Sequence, residues 1–368
     1  MDNIRIFCPY RISLLGAHID HQLGIVCGGA INLGITIDFK VRKDKKIILK
    51  SDLFDEIFIS SIENCLSRSY KWYDYLIGVV RYLRPNYNLT KGIEGKIISD
   101  LPSGGISSSS SLQIAFALAL AKANNFAMDK LELIELVYRV EREFMGINIG
   151  YLDPFSEVMS KKNCLIFLDP ATKFYRLIEN KEFNINYQFI IIYSGIERSL
   201  KDSKYNKRIE ECQNAFKKMN DEPKCQYVLR NIPKYKFELK KGTLSPVELK
   251  RTTHFYEEVE RVKLGYLAWK KNDIKALGIL MNESCQSSIK NYESGSVYLQ
   301  YLQEILLDTD GVVGSRFLGA GFNGSSVAII SKNKLNDIAH VVYKKYIERF
   351  PKLKDKFKVI PVSLEDGV

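Results

Sequence analysis

Apolar and polar positions alternate in short runs over the first sixty residues, and this pattern predicts strands. The predicted strands are Ile4 to Phe7, Ile25 to Ile37, Ile47 to Leu49 and Glu56 to Ser60. Turn residues separate the runs, so they indicate a mixed sheet.

Helical spacing follows the strands. Tyr75, Val79 and Tyr82 lie one helical turn apart in YKWYDYLIGVVRYL, which predicts a helix with a buried stripe. Trp72 and Tyr75, near the start of this segment, fit either core packing or a flat aromatic wall for a nucleotide base. Further helices are predicted at QIAFALALAKANNF, Leu131 to Met145, Tyr205 to Cys212, Glu248 to Asn272 and Ile274 to Ser288.

Helices and strands are thus mixed along a chain of 368 residues, longer than single cores usually grow. Between Pro170 and Tyr187 the chain turns polar and aromatic before the strand FIIIYSG resumes. We therefore predict an α+β protein of two domains, residues 1–180 and 181–368. The last strand can belong to the second domain or return to the first.

Composition is that of a globular protein, with 46% hydrophobic and 26% charged residues. The net charge of +11 attracts anions without specifying them. Its lysines are scattered, and two short clusters lack the interleaved aromatics of a nucleic-acid reading motif. The charge therefore predicts a solvated surface and no nucleic-acid partner. The clusters are Lys43, Lys45, Lys46 and Lys352, Lys354, Lys356, Lys358.

Seven cysteines without CxxC or CxxH spacing argue against a disulfide framework and a structural zinc site. The N-terminus carries an acid where a signal peptide has bases, and no apolar run reaches the roughly 18 residues of a membrane span. We expect a soluble, cytoplasmic protein with no membrane partner.

The segment CPYRISLLGAHIDHQLGIVCGG sets Arg11, His18, Asp20 and His21 into an otherwise apolar run. A strand, a turn at Gly16 and a second buried segment would explain it, with the polar groups exposed at the turn. A binding wall is the alternative, and the rest of the chain favours that alternative.

A glycine and serine loop, LPSGGISSSSSL, runs directly into the alanine- and leucine-rich helix. Free backbone N–H groups at a helix start attract phosphate, and small side chains let its oxygens approach. Serine hydroxyls can also hold Mg²⁺. No lysine follows the glycines, so this is not a Walker A loop. A linker or an ordinary helix cap is the plainer interpretation.

Two later segments carry further candidates. Asp153 follows the turn GINIGYL, where it can cap a helix or serve as a carboxylate that orients or deprotonates a hydroxyl. Gly319, Gly321 and Gly324 precede a β-branched run. They fit a turn before a buried strand, or a turn packed against the phosphate loop.

Four blocks in this order resemble the motifs of the GHMP small-molecule kinases, closest to the galactokinases, over nearly the whole chain. PYRISLLGAHIDHQLG resembles GRxNLIGEHxDYxxG, and PSGGISSSSSL resembles PxxxGLSSSAA. EREFMGINIGYLDPF resembles ExxFxGxxxGxMDQF, and GAGFNGS resembles GAGFGGC. The resemblance implies two lobes, the N-terminal one like a ribosomal protein and the C-terminal one ferredoxin-like, with ATP and Mg²⁺ in the cleft.

The resemblance also implies residue roles. Asp153 would be the base or orienter at the sugar's anomeric hydroxyl, and Arg11 would neutralise charge beside it. The sugar would contact Ala17, His18, Asp20, Gly150 and Tyr205. Adenine would lie at Trp72, and the phosphates at Gly104, Gly105, Ser107, Ser108, Ser109 and Ser110. Ser109 and Glu141 would hold Mg²⁺, with Ser108 as a rival to Ser109.

Departures from the galactokinase pattern bear on the substrate. Ala17 replaces a glutamate that in galactokinases accepts a hydrogen bond from the sugar's hydroxymethyl group, and its absence removes a like charge if the substrate has a carboxylate there. GAHIDHQ and NYESGS resemble the galacturonokinase branch. Milder departures are a phosphate loop one residue shorter, Ser110 and Ser111 in place of two alanines, Pro154 for a glutamine and Asn323 for a glycine.

The sequence therefore predicts an ATP- and Mg²⁺-dependent kinase acting on the anomeric oxygen of D-galacturonic acid. A galactokinase is the alternative, and a non-catalytic sensor of sugar and ATP is the alternative of another class. We expect small-molecule partners and a monomer or weak homodimer.

Overall fold

Two antiparallel-rich sheets organise the chain in the computed structural model, which describes residues 3–64, 67–102, 104–196, 205–220 and 226–368. Over these residues one sheet has seven strands and the other has four. The strands are β1 (Ile4–Leu15), β2 (Val26–Arg42), β3 (Lys46–Ser51), β4 (Phe58–Ser61), β5 (Gly92–Ser99), β6 (Cys164–Asp169), β7 (Phe174–Glu179), β8 (Tyr187–Tyr193), β9 (Val312–Phe317), β10 (Ser325–Ser331) and β11 (Lys358–Val362).

Helices connect and cover these sheets. They are α1 (Asp74–Leu83), α2 (Ser108–Asn124), α3 (Lys130–Arg139), α4 (Leu152–Met159), α5 (Phe183–Asn186), α6 (Tyr205–Met219), α7 (Lys234–Lys240), α8 (Pro246–Lys270), α9 (Ile274–Lys290), α10 (Val297–Leu307) and α11 (Leu335–Arg349). The predicted mixture of helices and strands is confirmed.

The first sheet has the order β4-β3-β5-β2-β6-β7, with β1 paired along β2. Strand β1 runs on to Leu15, well past the predicted end at Phe7, and Cys8 to Leu15 are all buried. The prediction ended too early because the polar Arg11 and Ser13 interrupt the apolar pattern. Its pairing with β2 is irregular between Pro9 and Arg11. Bulges of this kind re-aim side chains near active sites.

The second sheet has the order β11-β8-β10-β9, the ferredoxin-like order expected from the family resemblance. Its strands are buried on both faces: Ile191 faces the main core, whereas Ile190 and Ile192 join a smaller core under α10 and α11. The last strand, β11, pairs with β8, and only beyond it does Leu364 form a bridge to Ile31 on β2.

One helix departs from its predicted form. The segment predicted as Leu131 to Met145 is an α-helix to Arg139, followed by a π-helical stretch, Val140–Phe144. Glu141 lies in this stretch, and π-helical turns are frequent at functional sites. Hydrophobic periodicity could not have distinguished it from a continuous helix.

No helix within the described ranges is long and apolar enough to cross a membrane.

Candidate active site

A cavity of about 760 Å³ receives side chains from the first sheet, its helices and the second sheet. Most predicted site residues line it: Arg11, Ala17, His18, Asp20, Trp72, Gly105, Ser107, Ser108, Ser109, Ser110, Glu141, Gly150 and Asp153. Gly104 instead packs behind the loop, where an added Cβ would meet the Tyr193 ring at 3.0 Å. Tyr205 begins α6, and its side chain lies outside the described part of the structure, although its neighbour Asn206 lines the cavity.

Asp153 and Arg11 form a bidentate ion pair in this cavity. Arg11 Nε donates to Asp153 Oδ1 at 2.6 Å and Nη2 donates to Oδ2 at 2.8 Å. Asp153 lies in the first turn of α4, after the N-cap residue Tyr151, so its carboxylate binds Arg11 and does not cap the helix. Its side chain is 31% exposed while that of Arg11 is 4% exposed. The carboxylate is thus the part of the pair that a ligand can reach.

Arg11 also connects this pair to the glycine and serine loop. Its Nη1 donates to the Gly105 carbonyl at 2.6 Å, and its backbone N–H donates to the Ile106 carbonyl at 3.3 Å. Burial opposes the charge of Arg11, but the Asp153 carboxylate raises the pKa of Arg11 above its usual value. One buried cation therefore fixes the loop and the carboxylate relative to each other.

Asp20 lies across the cavity wall from this pair. Its carboxylate lies against Gly150, where an added Cβ would be 2.2 Å from Oδ2, and its Oδ1 accepts the His21 N–H at 2.9 Å. Burial, with the nearby charge of Asp153, raises the pKa of Asp20 to about 7. Gly150 is thus required for close backbone approach, and Asp20 is a second carboxyl group available to hydroxyls.

His18 is held by the NYESGS segment. Its ring stacks on Tyr292 at 4.3 Å between centroids, and its Nε2 lies 3.1 Å from Ser294 Oγ. GAHIDHQ and NYESGS, the two segments that resemble galacturonokinases, are therefore in direct contact. Sequence reasoning noted both segments but could not pair them.

The imidazoles of His18, His21 and His254 are neutral at physiological pH. Burial lowers the pKa of His18 well below its usual value, that of His21 to about 3 and that of His254 to about 4. His21 Nε2 lies 2.8 Å from the hydroxyl of Tyr292, behind the cavity wall. His21 therefore supports the wall, while His18 lines the cavity.

Ala17 is fixed by the second half of the chain. Its N–H and that of Gly16 donate to Glu258 Oε1 on α8, at 3.3 and 2.7 Å, and its carbonyl lies 2.9 Å from His254 Nε2. Glu258 is fully buried, yet the charge of Arg261 holds the pKa of Glu258 below its usual value despite that burial. The position that departs most from galactokinases is thus held rigidly at the cavity.

Arg316, on β9, adds a cation beside Ala17. Its Nη1 donates to Ser284 Oγ at 2.6 Å and lies 3.8 Å from Glu258 Oε1, the oxygen that also binds the Ala17 N–H. Its Nη2 has no hydrogen-bond partner among the described residues, although Arg316 lines the cavity. Burial lowers the pKa of Arg316, so an anion in the cavity would stabilise its charge.

The serine loop, residues 104–110, enters α2 without a side-chain cap in the described structure. Ser107 is the N-cap with φ +68°, and its buried Oγ has no hydrogen-bond partner within the described residues. Helix N–H groups and this hydroxyl are therefore available to an anion. Gly105 packs on the Leu318 carbonyl and Gly319, so the turn that begins at Gly319 lies against the serine loop.

Ser109 and Glu141 both accept a hydrogen bond from the side-chain amide of Gln113. Gln113 Nε2 donates to the Ser109 carbonyl at 3.1 Å and to Glu141 Oε1 at 3.0 Å. Across the described ranges there is no cluster of three or more His, Cys, Asp or Glu residues suited to a metal. These groups fit Mg²⁺ only where nucleotide phosphate oxygens supply most of its ligands.

Trp72 lines the cavity and is half-buried. It stacks on Phe54 at 5.5 Å between centroids, and its Nε1 is buried with no partner within the described residues. Tyr75 and Val79 are buried, as the helical stripe predicted, whereas Tyr82 of the same stripe is only half-buried. Phe54 also lines the cavity and is 44% exposed, so the two rings form an aromatic face open to a planar group.

Sequence reasoning missed Glu258, Arg316 and Phe54. A signal existed for Arg316, an arginine in the apolar strand that precedes the glycine turn. Glu258 is one of many charged residues in α8, and no local pattern distinguishes it.

Comparisons with known proteins agree with this geometry. Residues 74–161 match the family profile of the GHMP kinases N terminal domain. The structure is similar to the crystal structure of Lactococcus lactis galactokinase complexed with galactose, with a TM-score of 0.91 and 27% identity over 100% of this chain and 94% of that one. Fold and cavity thus define a GHMP-type kinase.

Sequence relatives narrow the class. The galacturonokinase of Arabidopsis thaliana is 33% identical over 94% of this chain and 87% of its own length. The galactokinase of Staphylococcus carnosus is 34% identical over 99% of this chain and 94% of its own. The chain belongs to the galactokinase family of GHMP kinases and is a sugar kinase of the galactokinase and galacturonokinase type. GHMP kinases use ATP as phosphate donor.

Proposed function

We propose that this kinase phosphorylates the anomeric oxygen of D-galacturonic acid, using ATP and Mg²⁺. The observation that carries the choice of sugar is the surroundings of Ala17, which combine a missing glutamate with a buried arginine. Galactose is the alternative substrate, favoured by the similarity to a galactokinase solved with galactose.

The transfer would use the Asp153 and Arg11 pair. The sugar's anomeric oxygen forms a bond to the γ-phosphorus, the bond from that phosphorus to ADP breaks, and the hydroxyl proton passes to the Asp153 carboxylate. Arg11 balances the negative charge that gathers there. Such reactions depend mainly on positioning and charge neutralisation, both of which the ion pair at 2.6 and 2.8 Å supports.

ATP would bind along the serine loop, with adenine near Trp72 and Phe54. Its phosphates would meet the N–H groups of α2 and the unpartnered Ser107 hydroxyl, together with Gly105 and the serines up to Ser110. Mg²⁺, bound by Ser109 and Glu141 with the phosphates, would supply charge neutralisation. Ser108 remains an alternative ligand.

Ring hydroxyls would be bound by Asp20 and His18, with Gly150 leaving room for the Asp20 carboxylate, and Tyr205 stays a proposed further contact. The substrate's carboxylate would lie beside Ala17 and meet Arg316. Support comes from Arg316 Nη1 and the Ala17 N–H, which contact the same Glu258 oxygen at 3.8 and 3.3 Å. A cation without a partner for Nη2 suits a uronic acid better than a neutral hydroxymethyl group.

The test is Ala17→Glu compared with Ala17→Gln. Two carboxylates about 4 Å apart repel by roughly 1 to 4 kcal/mol, which corresponds to about fivefold or more in binding. We expect Ala17→Glu to lower kcat/KM for galacturonate by at least that factor and to raise it for galactose. Ala17→Gln adds the same bulk without charge.

Release of ADP with each sugar measures both substrates side by side. Clear preference of the unaltered enzyme for galactose would overturn the galacturonate proposal. An equal loss in Ala17→Gln and Ala17→Glu would show that bulk, and not charge, governs the site.

A further inference from the structure

Glu157 lies at the centre of a buried hydrogen-bond cluster that no step of the proposed reaction uses. It is on α4, one helical turn after Asp153, and its side chain is fully buried. Ser110 Oγ contacts Glu157 Oε2, and Ser111 Oγ lies 2.8 Å from Oε1. These serines are the two that replace alanines of the galactokinase pattern.

Counting hydrogens determines the protonation state of this cluster. Besides Glu157 Oε1, Ser111 Oγ lies 2.9 Å from the Pro9 carbonyl and 3.2 Å from the Ser107 carbonyl. One hydroxyl hydrogen cannot serve three acceptors. With an ionised Glu157, Ser111 Oγ would face either the carboxylate or the Pro9 carbonyl lone pair to lone pair, at less than 3 Å.

A proton on Glu157 Oε1 removes the conflict. The acid then donates to Ser111 Oγ, Ser111 donates to the Pro9 carbonyl, and Ser110 donates to Oε2. Each of the three contacts shorter than 3 Å then has one hydrogen, and the buried oxygens of Glu157 are satisfied.

We propose that Glu157 is a neutral carboxylic acid that positions the serine loop and the catalytic aspartate relative to each other. The hydrogen-bond chain from Ser110 through Glu157 and Ser111 to Pro9 links the first turn of α2, the helix α4 that carries Asp153, and the strand β1 that carries Arg11. Glu157 therefore acts through the serine loop, Asp153 and Arg11, and does not touch the substrates.

The charged groups around Glu157 agree with a neutral acid. Arg11 donates its three side-chain hydrogen bonds to Asp153 and the Gly105 carbonyl, so none goes to Glu157. The other titratable neighbours are Asp153, on the same helix, and the Cys8 thiol on β1. Burial, followed by the charge of Asp153, raises the pKa of Glu157 well above its usual value.

Neutrality matters because a second carboxylate here would compete with Asp153 for Arg11. A neutral acid holds α2 and α4 together without adding negative charge next to the phosphates. Ser110, Ser111 and Glu157 therefore act together as one hydrogen-bonded unit.

The experiment compares Glu157→Gln with Glu157→Met. A glutamine accepts from Ser110 through its oxygen and donates to Ser111 through its amide, which reproduces the pattern of the protonated acid. Methionine has similar length without these bonds. We expect Glu157→Gln to keep kcat within about twofold and Glu157→Met to lower it at least tenfold, each measured with the better substrate of galactose and galacturonate.

Infrared difference spectroscopy supplies a second readout that needs no substrate. The unaltered protein minus Glu157→Gln should show the C=O stretch of a protonated carboxylic acid, displaced when the glutamates are labelled with ¹³C. A carboxylate stretch in its place, or a Glu157→Gln variant as impaired as Glu157→Met, would overturn the proposal. Should Glu157→Met fail to fold, the spectrum and the glutamine variant still decide, whichever sugar the enzyme prefers.

Discussion

The end of the cavity around Asp153 and the end around the serine loop are built from different parts. Around Asp153 the lining groups are charged side chains with fixed partners, such as Arg11 and Arg316. Around the serine loop they are mainly backbone N–H groups, glycines and aromatic faces, with Glu141 as a charged side chain that shares the Gln113 amide with Ser109. The first end therefore depends on the identity of single side chains, and the second depends on backbone shape.

Asp153→Asn should give the largest effect, since it changes one oxygen for an amide and keeps the shape. The amide cannot take the hydroxyl proton, and it leaves Arg11 without an anionic partner. We expect kcat to fall by about a hundredfold or more, the usual contribution of a general base. Thermal unfolding of the same variant separates loss of catalysis from loss of the fold, and a kcat within threefold of the unaltered enzyme would contradict the assignment.

Gly105→Ala tests the serine-loop end by adding one carbon and no new chemistry. Gly105 has φ +78°, and an added Cβ would lie 2.7 Å from the Leu318 carbonyl. Gly146→Ala is the matched control, because Gly146 has φ +72° but no atom within 4 Å of an added Cβ. Both variants meet a backbone cost of about 1 to 2 kcal/mol, because an L side chain is strained at positive φ.

Only Gly105→Ala displaces the loop from its support, so we expect kcat/KM for ATP to fall about tenfold while Gly146→Ala changes it little. Steady-state kinetics with ATP varied at saturating sugar measure both. Equal losses in the two variants would mean that backbone strain, and not loop placement, limits the nucleotide end.

Local pattern was enough to predict the parts with local causes. The burial of Tyr75 and Val79 follows from side chains close in sequence. The helix after the serine run was also predicted, but α2 begins at Ser108, inside that run and before the predicted start at Gln113. Pairing of Arg11 with Asp153 joins residues 142 positions apart, and only the order of family motifs pointed to it.

The support of Ala17 could not be predicted, because it depends on how α8 and β9 pack on β1. Glu258 lies 241 positions from Ala17 in the chain, within a helix rich in charges. A buried acid is recognised by what surrounds it, and that is a property of the tertiary structure. The same holds for Glu157, whose partners Ser110 and Ser111 looked like an unexplained departure.

Asp20→Asn sharpens the contrast by its dependence on pH. The folded pKa of Asp20 is about 7, above the unfolded value of 3.8, so the stability from a neutral Asp20 is full below about pH 4 and is lost as the pH rises to 7. Asparagine stays neutral throughout. The variant should therefore gain stability relative to the unaltered protein over this window, by on the order of 1 kcal/mol after allowance for solvent contact.

Urea unfolding of both proteins at pH 4.5, 6 and 8 measures this difference. Asp44→Asn is the control without a pH trend, because hydrogen bonds from Arg42 lower the pKa of Asp44 to about 2, so Asp44 stays ionised in the folded and the unfolded chain over most of this range. A gap between Asp20→Asn and the unaltered protein that stays constant from pH 4.5 to 8 would show that Asp20 is already ionised in the fold. Asp20 would then be ionised like an exposed carboxyl group. The contrast between the Asp153 end and the serine-loop end would rest on Arg11 and Arg316 alone.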